Sequence, residues 1–299
     1  MSEQRTTADE ILAQAERYRR AGHLLAAEDL CRKVLQAAPN QPTALHILGI
    51  IAHEAGNSAA AIDLMKRAAA ADATQSLYFA NLCELCRQSG RLEEAVEAGR
   101  RAIELAPSHA HAWNNLGITH YDRREYHDAE VCYREAIRLM PRLAEARSNL
   151  GNALRAQGRL GEAIEAYMKA LELKPQSTSV HQNLGTALRE QERFAESEAV
   201  SRNGLSLQPQ DVALLNNLGL ALALQGKSAE AAGVFGRSIE IDPENGKTYT
   251  YLASTLLEGG RRDEARAVVE KAQELLPLDI EVVRLAFRFN LGEQPGRAS

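Results

Sequence analysis

The chain is poor in several things, and each shortage excludes something. Aromatic residues make up only 5% of the 299 positions, with a single Trp. A core built on large rings is therefore excluded. Hydrophobic residues still reach 45% and Ala is abundant, so the apolar mass sits in small side chains, which suit closely packed helices. Four cysteines in a chain this long do not make a disulfide framework, which fits a reducing compartment. No long basic run or acidic tail occurs and the net charge is −5. A nucleic-acid reader needs a clustered basic face, so nucleic acid is not an expected partner. The longest apolar run, Leu218 to Leu224, is far short of the ~20 residues that cross a bilayer, so membrane insertion is not expected either. Residues 1–7 have no apolar core of the signal-peptide kind. The expectation is a soluble, cytoplasmic protein.

Signatures of catalysis are missing too. No GxSxG, HExxH or dinucleotide fingerprint is present. Gly226-Lys227-Ser228 ends like a phosphate loop, but Ala221 stands where its leading Gly belongs. Cys83 and Cys86 form one CxxC with no second pair to complete a zinc site, and they and Cys31 read as buried structural thiols. His109 and His111, and His46 and His53, read as surface or groove polarity. No enzyme activity, cofactor or metal is expected.

What the chain does have is a period. Asn115-Leu116-Gly117 returns as Asn149-Leu150-Gly151, Asn183-Leu184-Gly185 and Asn217-Leu218-Gly219, each 34 residues on. A fixed spacing of this size marks a repeat architecture. With Gly117 as the eighth slot of a repeat, that slot holds Ala15, Gly49, Cys83, Gly117, Gly151, Gly185, Gly219 and Ala253, all small. It reads as the closest approach of two helices. The twentieth slot, with Ala27, Ala61, Ala95, Ala129, Ala163, Ser197, Ala231 and Ala265, is the matching small surface on the second helix. Pro39, Pro107, Pro141, Pro175, Pro209, Pro243 and Pro277 close the second helices, with Ala73 in that place in the second repeat. Gly22, Gly56, Gly90, Gly158, Gly226 and Gly260 fall at the bend between helices, where Arg124 and Glu192 replace Gly twice and imply tighter or strained turns.

Eight helix-turn-helix repeats are expected, at residues 8–41, 42–75, 76–109, 110–143, 144–177, 178–211, 212–245 and 246–279. Repeats two and six are the weakest. Residues 280–291 read as a capping helix, with residues 1–7 and 292–299 disordered.

Trp113, Leu116, Gly117, Ala129, Tyr133, Ala136 and Pro141 fill slots that match the tetratricopeptide-repeat pattern, and the chain resembles that family over nearly its whole length. The resemblance implies an all-α, right-handed solenoid whose first helices line a concave groove. It also implies a non-enzymatic scaffold for peptides or partner proteins. The family's carboxylate clamp is not matched, since Ala213 and Asn217 stand where it requires Lys and Arg.

The candidate site is that groove. Its sixth slot holds Asn81, Asn115, Asn149, Asn183 and Asn217 in five successive repeats. Asn costs roughly 0.5–0.7 kcal/mol against Ala in mid-helix, and its amide both donates and accepts, so a row of them can hold an extended chain by its backbone. The layout resembles the asparagine ladder in the repeat arm of the O-GlcNAc transferase family. Asn114, Asn152 and Asn216 lie beside the row. Apolar groove slots hold Ile118 and Tyr121, then Leu220, Leu224, Tyr251 and Leu257. Five amides alone give weak binding, because each net hydrogen bond contributes roughly 0.5–1.5 kcal/mol while ordering a flexible peptide costs about 2–5 kcal/mol or more. The main expectation is a protein or peptide partner held in the groove. The alternative is a substrate-selecting arm for a separate glycosyltransferase-like subunit. A third is a homo-oligomer through the capping helix, where Leu285 and Phe289 share one stripe and Val283 and Phe287 another.

Overall fold

A computed structural model describes residues 7–290, and among them every regular element is an α-helix. The expected order and disorder at residues 1–6 and 291–299 lie outside the described residues, as does the last position of the capping helix. First helices are α1 (Ala8–Arg20), α3 (Pro42–Glu54), α5 (Ser76–Gln88), α7 (Ala110–Asp122), α9 (Ala144–Ala156), α11 (Thr178–Glu190), α13 (Val212–Leu224) and α15 (Gly246–Glu258). Second helices are α2 (Leu24–Ala37), α4 (Ser58–Ala71), α6 (Leu92–Leu105), α8 (Tyr126–Leu139), α10 (Leu160–Leu173), α12 (Phe194–Leu207), α14 (Ser228–Ile241) and α16 (Arg262–Leu275), and α17 (Ile280–Asn290) follows. Each class starts at constant 34-residue steps, which makes the chain an all-α helical-repeat solenoid. It divides into two compact units, residues 1–153 and 154–299.

Local sequence sets the helix ends. Thr7 opens α1 with a capping box, its hydroxyl accepting from the Glu10 N–H while Glu10 accepts from the Thr7 N–H at 2.8 Å. The Asp211 carboxylate accepts from Leu214 N–H at 2.8 Å and caps α13. Every bend between paired helices for which Gly is present there has that Gly in the left-handed region, as at Gly90 (φ 73°). Arg124 (φ 63°) and Glu192 (φ 59°) adopt the same backbone without being Gly, so those two turns keep the common geometry and carry its steric cost. They are strained rather than tighter. Proline proves dispensable at the second-helix stop. Although Ala73 replaces it in the second repeat, α4 still ends at Ala71, where the Asp72 carboxylate accepts from Thr74 N–H (3.0 Å) and Oγ1 (2.6 Å).

Packing follows the small slots. Ala15, Cys83 and Ala253 on first helices, and Ala27, Ala61, Ala95, Ala129, Ala163, Ala231 and Ala265 on second helices, are fully buried. A Cβ on Gly117 would sit 2.7 Å from Tyr133 Cε1, and one on Gly219 would sit 2.5 Å from Phe235 Cε1. The missing methyl therefore makes room for a buried ring on the partner helix, and burying such a side chain contributes roughly 1.5–3 kcal/mol. Repeat six lacks the ring. Ser201 occupies the equivalent place, buried with no partner for its hydroxyl, while Ser197 Oγ donates to Gly185 O at 2.7 Å. That seam is therefore polar where repeat four has an aromatic ring.

The capping helix covers one of its two apolar stripes and exposes the other. Leu285 is buried and Phe289 packs on the last core cluster with Tyr249 and Val269, so the Leu285–Phe289 stripe faces inward. The exposed stripe is Ile280, Val283 and Phe287, the last 65% accessible. Phe289 is half-buried against that cluster.

Candidate functional site

Within each unit, first helices pack on first helices of the next repeat: α1 on α3 and α5 on α7, then α11 on α13, α13 on α15 and α15 on α17. Among the described residues no comparable packing joins one second helix to the next. The first helices therefore form the closely spaced inner side of each unit, and residues of their sixth, ninth, twelfth and thirteenth slots edge that side. The fifth slot turns into the seam between repeats. Leu12, His46, Ala80 and Asn114 are buried there, because the slot faces the following repeat.

That orientation decides what the asparagine row does. In the first unit, Asn81 Nδ2 lies 2.8 Å from His46 Nε2, Asn115 Nδ2 donates to Ala80 O at 3.4 Å, and Asn149 Nδ2 donates to Asn114 Oδ1 at 3.2 Å. In the second unit, Asn217 Nδ2 donates to Gln182 O at 3.0 Å. All four reach the fifth slot of the repeat before, 35 residues back. A carbonyl only accepts, so the NH2 orientation of Asn115 and Asn217 is fixed by chemistry. The donor half of each amide is spent holding successive repeats in register, and the half left over is the oxygen. Asn217 Oδ1 accepts from Thr186 Oγ1 at 3.3 Å, whereas among the described residues no donor reaches the oxygens of Asn81, Asn115 and Asn149. Asn183 also has an interaction of its own.

The flanking asparagines divide similarly. Asn114 is buried, donating to Glu145 Oε1 at 3.2 Å while accepting from Asn149, so it is a seam residue and not a groove contact. Asn216 donates to Thr248 Oγ1 and accepts from Ser238 Oγ, both at 2.9 Å, which makes it a second seam residue. Asn152 is half-buried and engaged. Tyr121 is half-buried against Tyr126, ring centroids 5.3 Å apart. Leu220 and Tyr251 pack around buried Phe235, with the Phe235 and Tyr251 rings 5.8 Å apart, and Leu224, one turn beyond Leu220 on α13, is 39% accessible. The second unit thus offers a half-open apolar surface.

Sequence reading missed a charge ladder on the same side. Arg19 pairs with Glu54 at 2.7 Å, Arg87 with Asp122 at 2.8 Å and Arg155 with Glu190 at 2.9 Å. Each arginine is in the twelfth slot, and each acid lies 35 residues on. Scanning for opposite charges at that offset, rather than along single helices, reveals it. Glu16 and Glu84 hold the Arg19 and Arg87 guanidiniums from within the same helix and keep both above the ordinary arginine range. In return Arg19, against the opposing effect of partial burial, holds the Glu16 carboxyl down at about 2.

The cysteines are buried without disulfides. Burial pushes the thiols of Cys31 and Cys83 up to about 11 and that of Cys132 to about 12, so they are inert near neutrality. One cluster of ligand-type atoms does occur, His120, Glu125 and Asp128 within 4.8 Å of one another. Glu125 is already engaged by His120 Nδ1 at 2.6 Å and by Arg123 Nε at 2.9 Å, so its carboxylate oxygens are each taken by a neighbouring side chain. In four other repeats the place of Glu125 holds an arginine paired three residues on, as Arg193 with Glu196, and here Arg123 brings the positive charge to Glu125. No helix among the described residues is long and apolar enough to cross a membrane.

Comparison with known proteins agrees with this geometry. A TPR repeat model matches residues 151–192, and tetratricopeptide-repeat models match residues 72–142, 222–286, and 12–76 together with 183–246. No curated protein sequence matches the chain. Among solved structures, YrrB, described as a TPR protein with an unusual peptide-binding site, is 23% identical, with 63% of this chain and 97% of that one covered and a TM-score of 0.53. The Pseudomonas aeruginosa pilF protein is 21% identical over 73% of this chain and 97% of its own, TM-score 0.60. A chain of the APC/C hetero-tetramer Cut9-Hcn1 is 16% identical over 96% of this chain and 57% of its own, TM-score 0.62. At these identities the structures speak for the fold alone. The family matches, with the unbroken register of helix pairs, carry the assignment: the chain belongs to the tetratricopeptide-repeat family, whose repeats are typically non-catalytic scaffolds for protein–protein interaction.

Proposed function

We propose that this protein binds extended peptide segments of partner proteins along the inner, first-helix side of its units. The observation that carries the reading is the set of unengaged amide oxygens of Asn81, Asn115 and Asn149, spaced one repeat apart on half-exposed residues. Each oxygen accepts an N–H from the bound main chain. Packed helices lie about 8–10 Å apart. A polyproline II segment rises about 3.1 Å per residue with three residues per turn, so every third N–H returns to the same side after about 9 Å. That conformation has no internal hydrogen bonds, which leaves those N–H groups free. A β-strand matches less well, since its N–H groups alternate in direction at every residue.

Three such bonds contribute little net affinity at roughly 0.5–1.5 kcal/mol each. Apolar contacts, of the kind Tyr121 offers in the first unit and Leu220, Leu224 and Tyr251 in the second, supply the remainder.

The test replaces Asn81, Asn115 and Asn149 together, once by Ala and once by Asp, and compares partner capture with wild type. Both triples lose the amide donors that bridge repeats and so lower thermal stability. Only the Ala triple also removes the acceptor oxygens. Capture lost in the Ala triple and retained in the Asp triple, at a temperature where circular dichroism shows both folded, is the expected result. Equal capture by wild type and the Ala triple would sink the proposal.

A further inference from the structure

Among the described residues the ladder of arginines has one member without an acidic partner. Arg19, Arg87 and Arg155 each meet an acid 35 residues on. Arg189 occupies the same slot in α11, and 35 residues on from it stands Leu224. Its neighbour Glu190 is taken by Arg155 at 2.9 Å, and the Arg189 Nε is buried with no hydrogen-bond partner. The side chain is half-buried, so a cation is held at the edge of the inner face with nothing of its own to neutralise it. Leu224 is 39% accessible and follows Ala223 and, one turn back on α13, Leu220, both of which pack with Tyr251 on the Phe235 cluster. No other repeat joins these two features.

We infer that Arg189 is a specificity-determining residue, selecting partner segments that carry an acidic side chain next to apolar ones. This rests on the peptide-binding reading above and adds the chemistry of the bound segment. The carboxylate takes the place that Glu54, Asp122 and Glu190 take in the sister repeats, accepting from the guanidinium. The apolar residues beside it lie on Leu220, Leu224 and Tyr251. The position differs from that of the family's carboxylate clamp, whose lysine and arginine slots hold Ala213 and Asn217 here. Charge complementarity decides the occupant: an apolar segment alone leaves Arg189 unpaired and partly desolvated, whereas an acid alone leaves the apolar surface bare.

The experiment uses three end-blocked fluorescent peptides on one Gly-Ser backbone, measured by polarisation against the full chain. One carries Asp followed by two Leu, the second Asn followed by two Leu, and the third Asp followed by two Ser. The first binds tightest, and the Asp-to-Asn exchange weakens binding about tenfold, the scale of one charge-assisted hydrogen bond. In Arg189→Gln that preference disappears, while in Arg189→Lys part of it remains. A second variant, Leu224→Glu, rebuilds the internal pair of the sister repeats. Because Leu224 is partly exposed, the fold tolerates it, and the preference for Asp disappears with Arg189 still present. Equal affinity for the Asp and Asn peptides in wild type, or a preference that survives both Arg189→Gln and Leu224→Glu, overturns the inference. Loss of all peptide binding in the asparagine triple-Ala chain, with no Asp preference in wild type, sinks this inference and leaves the peptide-binding reading standing. Absence of binding by all three peptides overturns the inference as well.

Discussion

His46 offers a quantitative check on the seam between the second and third repeats. It sits in α3 only 8% exposed, its Nε2 is 2.8 Å from Asn81 Nδ2, and its ring lies 4.9 Å from that of Tyr78. An amide NH2 donates, so Nε2 accepts and the ring is neutral with its proton on Nδ1. Burial is the main cause holding its pKa down at about 4; nearby Glu16 opposes this and Arg19 reinforces it. In the unfolded chain the same group titrates at about 6.5. Between these values the unfolded state binds more protons, so stability rises with pH there and is lost as pH falls from about 6.5 towards 4. The full difference is about 3 kcal/mol, and between pH 7 and pH 5 the loss is about 2 kcal/mol. Urea denaturation of wild type and His46→Gln at both pH values isolates the effect. Wild type loses about 2 kcal/mol more than the variant, which has no titrating group there. Because repeat arrays unfold with limited cooperativity, proton titration of His46 by NMR supplies a local reading. A midpoint near 6.5, or parallel losses in the two proteins, refutes the reasoning.

Two further outcomes follow from backbone and packing. Arg124→Gly and Glu192→Gly each raise stability by about 0.5–1 kcal/mol in thermal unfolding, because both residues hold left-handed backbone at φ 63° and 59°; a loss of stability in both contradicts this. Gly219→Ala places a methyl against Phe235 and destabilises by about 1–3 kcal/mol, and adding Phe235→Leu recovers part of that loss. If the double substitution is no more stable than Gly219→Ala alone, the close approach is not the cause.

Much of the fold was legible before any coordinate. Small residues at one period, glycine at bends and the apolar stripes name helix pairs because helix packing and left-handed turns each accept few side chains. The site was less legible. Asn115 and Asn217 stand out by type and spacing, yet which half of each amide is spent depends on Ala80 O and Gln182 O, which only an adjacent helix brings near. Asn114 looked like a groove neighbour and is a buried bridge, since a fifth slot faces the next repeat. Of the two stripes on the capping helix, periodicity could not say which one the preceding pair covers.

The sequence by itself determined the repeat, its length and its stops, because those depend on contacts within a helix pair that each 34-residue segment carries whole. Only the tertiary structure decided which groups are spent and which remain. Arg155 and Arg189 are the same residue in the same slot, and one is neutralised by Glu190 while the other faces Leu224. Hydrogen bonds and ion pairs between repeats form across a gap that exists only once helices stack, so their bookkeeping cannot be closed along a single helix.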